Sequence, residues 1–177
     1  MLANLITRGL QIVIGAVVLG LSITAIQWQH FGSAPATSSY SAFAGAFGIL
    51  AGLVGVAAFF FDAIPQLIMA VIDGLASLLL LAGGIAFAVG LKGVRCSNNR
   101  ETAYSFFLNG GCHGKNDNKV CGIPEENWKG VLEGRCKTVY ADTVFLFFGF
   151  AACAAAAALC FIASRRSGGG VKRSSRV

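Results

Sequence analysis

Four cysteines, Cys96, Cys112, Cys121 and Cys136, fall within one polar stretch of a chain that is otherwise mostly apolar. Two chemistries use such a set: thiolates can hold zinc, and an even number of thiols in an oxidising compartment forms disulfides. The spacing is C-x15-C-x8-C-x14-C, with no C-x2-C pair and only His113 nearby, so disulfides are the expected use. A second residue also asks for a chemical reason. Asp73 sits inside "LIMAVIDGLASLLLLAGG", from Leu67 to Gly84, with Ser77 one turn on. A carboxylate there could carry a proton, hold an ion or hydrogen-bond between helices.

Catalytic patterns are missing around these residues. The chain has no H-E-x-x-H, no G-x-S-x-G and no G-x-x-x-x-G-K-[ST]. Its two histidines, His30 and His113, are far apart and fall in expected loops. Neither an enzyme, a cofactor nor a metal site is expected.

The elements that position these residues follow from charge. Of 177 residues, 55% are hydrophobic and 12% charged, about half the charge of an ordinary soluble domain. No Asp, Glu, Lys or Arg occurs from Gly9 to Phe61, from Gly74 to Leu91, or from Thr143 to Ser164. A helix crossing a bilayer needs about 20 mainly apolar residues. Four spans fit, at about residues 9–28, 40–61, 64–91 and 140–164. Trp28 stands at an expected interface, and Pro65 near the start of the third span. The expected fold is an all-α four-helix transmembrane bundle, a single domain over residues 1–164. A loop over residues 92–138 between spans three and four carries the cysteines, and a basic tail follows at 165–177. The first apolar run, Leu10 to Ile26, precedes "APA" but is longer than the core of a signal peptide, and is read as a span.

Basic residues orient the chain. Arg8 precedes the first span, and the tail "RRSGGGVKRSSRV" carries Arg165, Arg166, Lys172, Arg173 and Arg176. Both place the termini in the cytoplasm. The loop holds eight Lys or Arg, which argues the other way, and its cysteines break the tie in favour of an oxidising outer side. The net charge of +6 does not point to nucleic acid, because no aromatics interleave with the tail's bases as a stacking platform requires. Those five bases are expected to meet anionic lipid headgroups. Phosphorylation of Ser167, Ser174 or Ser175 would cancel part of their charge.

Small residues recur at four-residue spacing: Gly48 with Gly52, Ala51 with Gly55, Ala70 with Gly74, Gly84 with Ala88, Ala86 with Gly90, and the run Ala154 to Ala158. Such spacing lets helices in lipid approach closely and is compatible with a homo-oligomer. Ala70, Asp73, Ser77, Gly84 and Ala88 share one face, so Asp73 is expected to point between helices. No basic residue lies in any span, which favours a structural hydrogen-bonding role that asparagine could fill. Asp142, near the outer end of span four, reads as interfacial. Cys153 and Cys160 read as small packing residues, with Cys160 close enough to the boundary for acylation to be conceivable.

The chain resembles the fungal non-classical export protein 2 family of MARVEL-domain proteins. The resemblance is carried by the four-span layout over about residues 1 to 164, by Asp73, by "AGGIAFAVGLKGVRCSNN" and by "GRCKTVYADTVFLFFGF". It implies a multi-pass plasma-membrane protein in furrow-like domains associated with eisosomes. It further implies a response to sphingolipid status, a link to unconventional export, and sterol, sphingolipid and eisosome proteins as partners. Cys96 and Cys136 fall where the family's loop cysteines fall, whereas Cys112 and Cys121 are extra. Four cysteines allow three pairings, of which the nested one, Cys96 with Cys136 and Cys112 with Cys121, is expected because the outer pair would join the ends of neighbouring spans. The alternatives are a tetraspanin-like adaptor, whose loop motif is approached only by "GGCHG", and a small proton-coupled transporter using Asp73.

Overall fold

The computed structural model describes residues 2–60, 65–105, 107–114, 120–123 and 127–168. Three long helices come first: α1 (Leu2–Gln27), α2 (Ala36–Phe60) and α3 (Gln66–Gly90). A short helix α4 (Asn99–Tyr104) and a two-stranded ribbon, β1 (Cys112–His113) with β2 (Val120–Cys121), lead to the last helix, α5 (Trp128–Gly168). Helices α1, α2, α3 and α5 each contain a stretch long and apolar enough to cross a membrane. The chain is thus an all-α transmembrane bundle with a cysteine-bearing segment between its third and fourth spans.

Each long helix packs antiparallel to its neighbours in the ring α1–α2–α3–α5. Helices α1 and α3 therefore lie on a diagonal, and only long side chains can join them. The start of α1, the end of α2, the start of α3 and the end of α5 form one end of the bundle, here the terminal end. The opposite end carries α4 and the ribbon, and is the loop end. Ile14, Val18, Ala44, Leu80, Leu146 and Cys153 are among the buried residues that fill the middle, while Val13, Leu50, Val71, Leu78, Val89 and Phe148 stand exposed on the outside. An apolar exterior suits a helix bundle solvated by lipid.

Glycine sets the closest approach, but not along the whole of the expected small-residue pattern. A Cβ on Gly45 would lie 2.9 Å from the Leu19 nitrogen, and one on Gly15 3.0 Å from the Gly45 oxygen. So α1 and α2 touch backbone to backbone. A Cβ on Gly52 would meet Ile12 at 2.6 Å. On α3 the expected face is only partly the buried one. Gly74 has open space beside it, and Ala86 and Ala88 are exposed. The buried residues are Met69, Asp73, Ala76, Ser77, Leu80, Gly83, Gly84 and Phe87, and a Cβ on Gly84 would lie 3.3 Å from the Phe147 ring of α5.

Helix α5 starts well before the expected span. Its first turns are polar, and exposed Glu133 pairs with Lys137 one turn later at 2.6 Å, the favourable order along a helix. Two disulfides close this end. Cys96–Cys136 ties the chain beyond α3 to α5, with Cα atoms 5.5 Å apart. Cys112–Cys121 joins residues directly opposite in the ribbon.

Candidate functional site

The polar interior of the terminal end begins with Arg8, on the second turn of α1, a residue that by sequence alone is only a charge flanking the first span. Arg8 is 2% exposed, and its guanidinium crosses the diagonal to Asp73 on α3, itself 0% exposed. Nη1 donates to Asp73 Oδ1 at 2.5 Å and to Gln11 Oε1 at 3.1 Å. Nη2 donates to Cys160 Sγ on α5 at 3.3 Å. Gln11 Nε2 donates in turn to Asp73 Oδ1 and to Cys153 Sγ, each at 3.1 Å. The side chain passes over Gly55 of α2, where any Cβ would collide with the guanidinium. All four spans therefore shape one charged cluster.

This overturns the expectation that Asp73 lacks a basic partner. Periodicity within α3 shows which face is buried, but not that a residue at the start of another helix reaches it. Ser77 is buried near Asp73 yet donates to the Gly74 carbonyl at 2.7 Å, a back-bond within its own helix. Cys160 is buried against Arg8, so acylation there would require the cluster to open. Asp73 Oδ2 and Arg8 Nε are buried without a hydrogen-bond partner among the described residues. Removing two charges from water costs several kcal/mol per ion, and mutual pairing is what makes both tolerable at this depth.

A comparison with known protein families matches MARVEL, described as a membrane-associating domain, over residues 1–159. The chain belongs to the MARVEL family. No curated protein and no solved structure matches it. The matched residues include every member of the Arg8 cluster except Cys160, so the cluster lies within the MARVEL bundle itself.

At the loop end of the MARVEL bundle a second polar set appears. Asp142 of α5 is 1% exposed and accepts from Ser22 Oγ of α1 at 2.7 Å. It is a buried inter-helix residue, not the interfacial one expected, because α1 covers that face of α5. Its Oδ1, and the Oγ of buried Ser41 on α2, have no partner among the described residues.

Above this set, Arg135 organises the cysteine-bearing segment. Nη1 donates to the Leu108 carbonyl at 2.9 Å and both Nη atoms reach the Gly122 carbonyl at 3.3 Å. The guanidinium also stacks 5.5 Å from the Trp28 ring centre, so Trp28 serves as a platform for the loop more than as a lipid anchor. Gly110 and Gly111 have φ of +70° and +78°, a conformation glycine adopts without strain. The Gly110 carbonyl accepts from the backbone of His30 and Phe31. The segment containing "GGC" is thereby docked on the α1–α2 connection. Nothing in the residue types marks Arg135 for this role, although it lies in "GRC", one of the stretches that carry the resemblance.

The expected lipid-contact residues are only partly described. Arg165 is exposed and its guanidinium lies 4.9 Å from the centre of the Phe161 ring. Arg166 and Ser167 belong to the last turn of α5, and their side chains lie outside the described residues. Lys172, Arg173, Ser174, Ser175 and Arg176 lie outside them altogether.

Proposed function

We propose that this MARVEL protein is a non-enzymatic organiser of plasma-membrane microdomains of the eisosome type, with both termini in the cytoplasm. The reading rests on one observation: the membrane-associating family covers residues 1–159, the length of the bundle whose buried polar groups are aimed at other helices. The resemblance in "RCSNN", "GRC" and Asp73 supports the narrower assignment, including a response to sphingolipid and a link to unconventional export. Residues 1–164 would form the membrane domain and 165–177 a tail held on anionic headgroups by its bases.

The Arg8–Asp73 pair bears on the transporter alternative. A proton path needs groups that bind and release protons, and an arginine does not release its proton in a protein. A carboxylate clamped to Arg8 is built to hold helices together.

Imaging a fluorescently tagged copy tests the main reading. Patches that disperse when sterol or sphingolipid is depleted are expected, and an even distribution unaffected by either depletion rejects it. For the tail, glutamate at Ser167, Ser174 and Ser175 is expected to loosen a tail peptide from anionic vesicles. Unchanged binding at physiological salt rejects that part.

A further inference from the structure

On the outside of the terminal end, α3 and α5 border an open groove of about 400 Å³. Leu67, Ala70 and Val71 line it from the first turns of α3, and Ala157, Ala158 and Phe161 from the last turns of α5. The lining is apolar. Small alanines on both helices make the hollow, and exposed Leu67, Val71 and Phe161 border it. Both walls lie within stretches apolar enough to be in the membrane, so hydrocarbon is what meets this surface.

Among the described residues, one cation stands at the groove's end. Arg165 lies one turn beyond Phe161, and its guanidinium is held 4.9 Å from the ring that forms the groove wall. The ring contact fixes the charge where the apolar span ends and headgroups begin. A guanidinium suits a phosphate, with which it makes paired hydrogen bonds.

We propose that this groove is a binding site for an anionic glycerophospholipid, with one acyl chain along α3 and α5 and the phosphate on Arg165. Charge favours this occupant over a second copy of the chain. A two-fold contact through the same groove would place the two Arg165 side chains on a shared interface, with like charges facing each other. The proposal rests on the membrane embedding of the bundle and is independent of microdomain organisation.

Native mass spectrometry of the full-length protein in detergent tests it, with phosphatidylserine and phosphatidylcholine added at equal concentration. To silence the tail, Arg166, Lys172, Arg173 and Arg176 are replaced by Gln; this tail-neutral protein is expected to carry phosphatidylserine about fivefold in excess, the effect of roughly one basic contact with an anionic headgroup. In the tail-neutral protein Arg165→Gln should bring the two lipids to parity, Arg165→Lys should retain part of the preference, and Ala157→Phe should lower both adducts by filling the groove. Unchanged melting temperatures would show that these variants are folded. Equal lipid binding by the tail-neutral protein overturns the proposal, as does a preference in it that survives Arg165→Gln. A preference shown by the wild type but absent from the tail-neutral protein assigns the effect to the tail and also overturns it. So does a dimer that Ala157→Phe dissociates without changing lipid adducts.

Discussion

At the terminal end of the bundle, a guanidinium on α1 reaches a carboxylate on α3 inside the membrane domain, and no covalent bond joins the described helices there. At the loop end, the Cys96–Cys136 disulfide joins the end of α3 to α5, and Arg135 works through uncharged backbone carbonyls and the Trp28 ring. Under the proposed topology the difference follows from the surroundings. Disulfides persist where the compartment is oxidising, whereas the terminal end can be tied only by what its side chains offer one another. A charged tie has an uneven risk. The intact pair is modest in net worth, but losing one partner leaves a buried charge uncompensated.

The largest expected effect therefore comes from splitting the charge pair. Asp73→Asn keeps the shape but leaves Arg8 without its counter-charge, and is expected to cost about 3–5 kcal/mol. That reverses the tolerance expected from the sequence. The double variant Arg8→Gln with Asp73→Asn should recover at least half of the loss. Thermal melting of the purified protein in detergent reads both, and an Asn variant as stable as wild type would show that the pair contributes nothing.

Opening the loop end should cost less. The chain-entropy estimate for the loop closed by Cys96–Cys136 is about 4 kcal/mol, an upper figure here because the spans already hold its ends together. Cys96→Ser with Cys136→Ser should therefore lower the melting temperature by less than Asp73→Asn does. Cys112→Ser with Cys121→Ser closes a shorter loop and should matter less again. If removal of the ribbon disulfide were the more damaging, the loop end would depend on the ribbon and not on the α3–α5 tie.

The smallest effect is expected at Asp142. Ser22→Ala removes the hydroxyl that donates to Asp142, and should destabilise by about 1 kcal/mol. Unlike the Arg8 cluster, this site has no cation among its described contacts to strand. A loss as large as that of Asp73→Asn would mean that Ser22 and Asp142 belong to a wider network including Ser41.

The sequence by itself determined the bundle. Long charge-free runs have only one stable form in lipid, a helix that satisfies its own backbone, so four spans and the segment between the third and fourth were legible from composition. Burial of Asp73 was legible too, because an exposed carboxylate in that run would be costly. What Asp73 touches was not. Its partner lies on a helix that is diagonal in the ring and at the very edge of an apolar run, and which residues meet across a diagonal depends on how all four helices are rotated. The same holds for Asp142, covered by α1, and for Arg135, whose partners are backbone carbonyls that carry no signature in residue type. Only the tertiary structure decided these contacts, because hydrophobic periodicity reports which side of a helix avoids lipid and is silent about which residue waits on the other side.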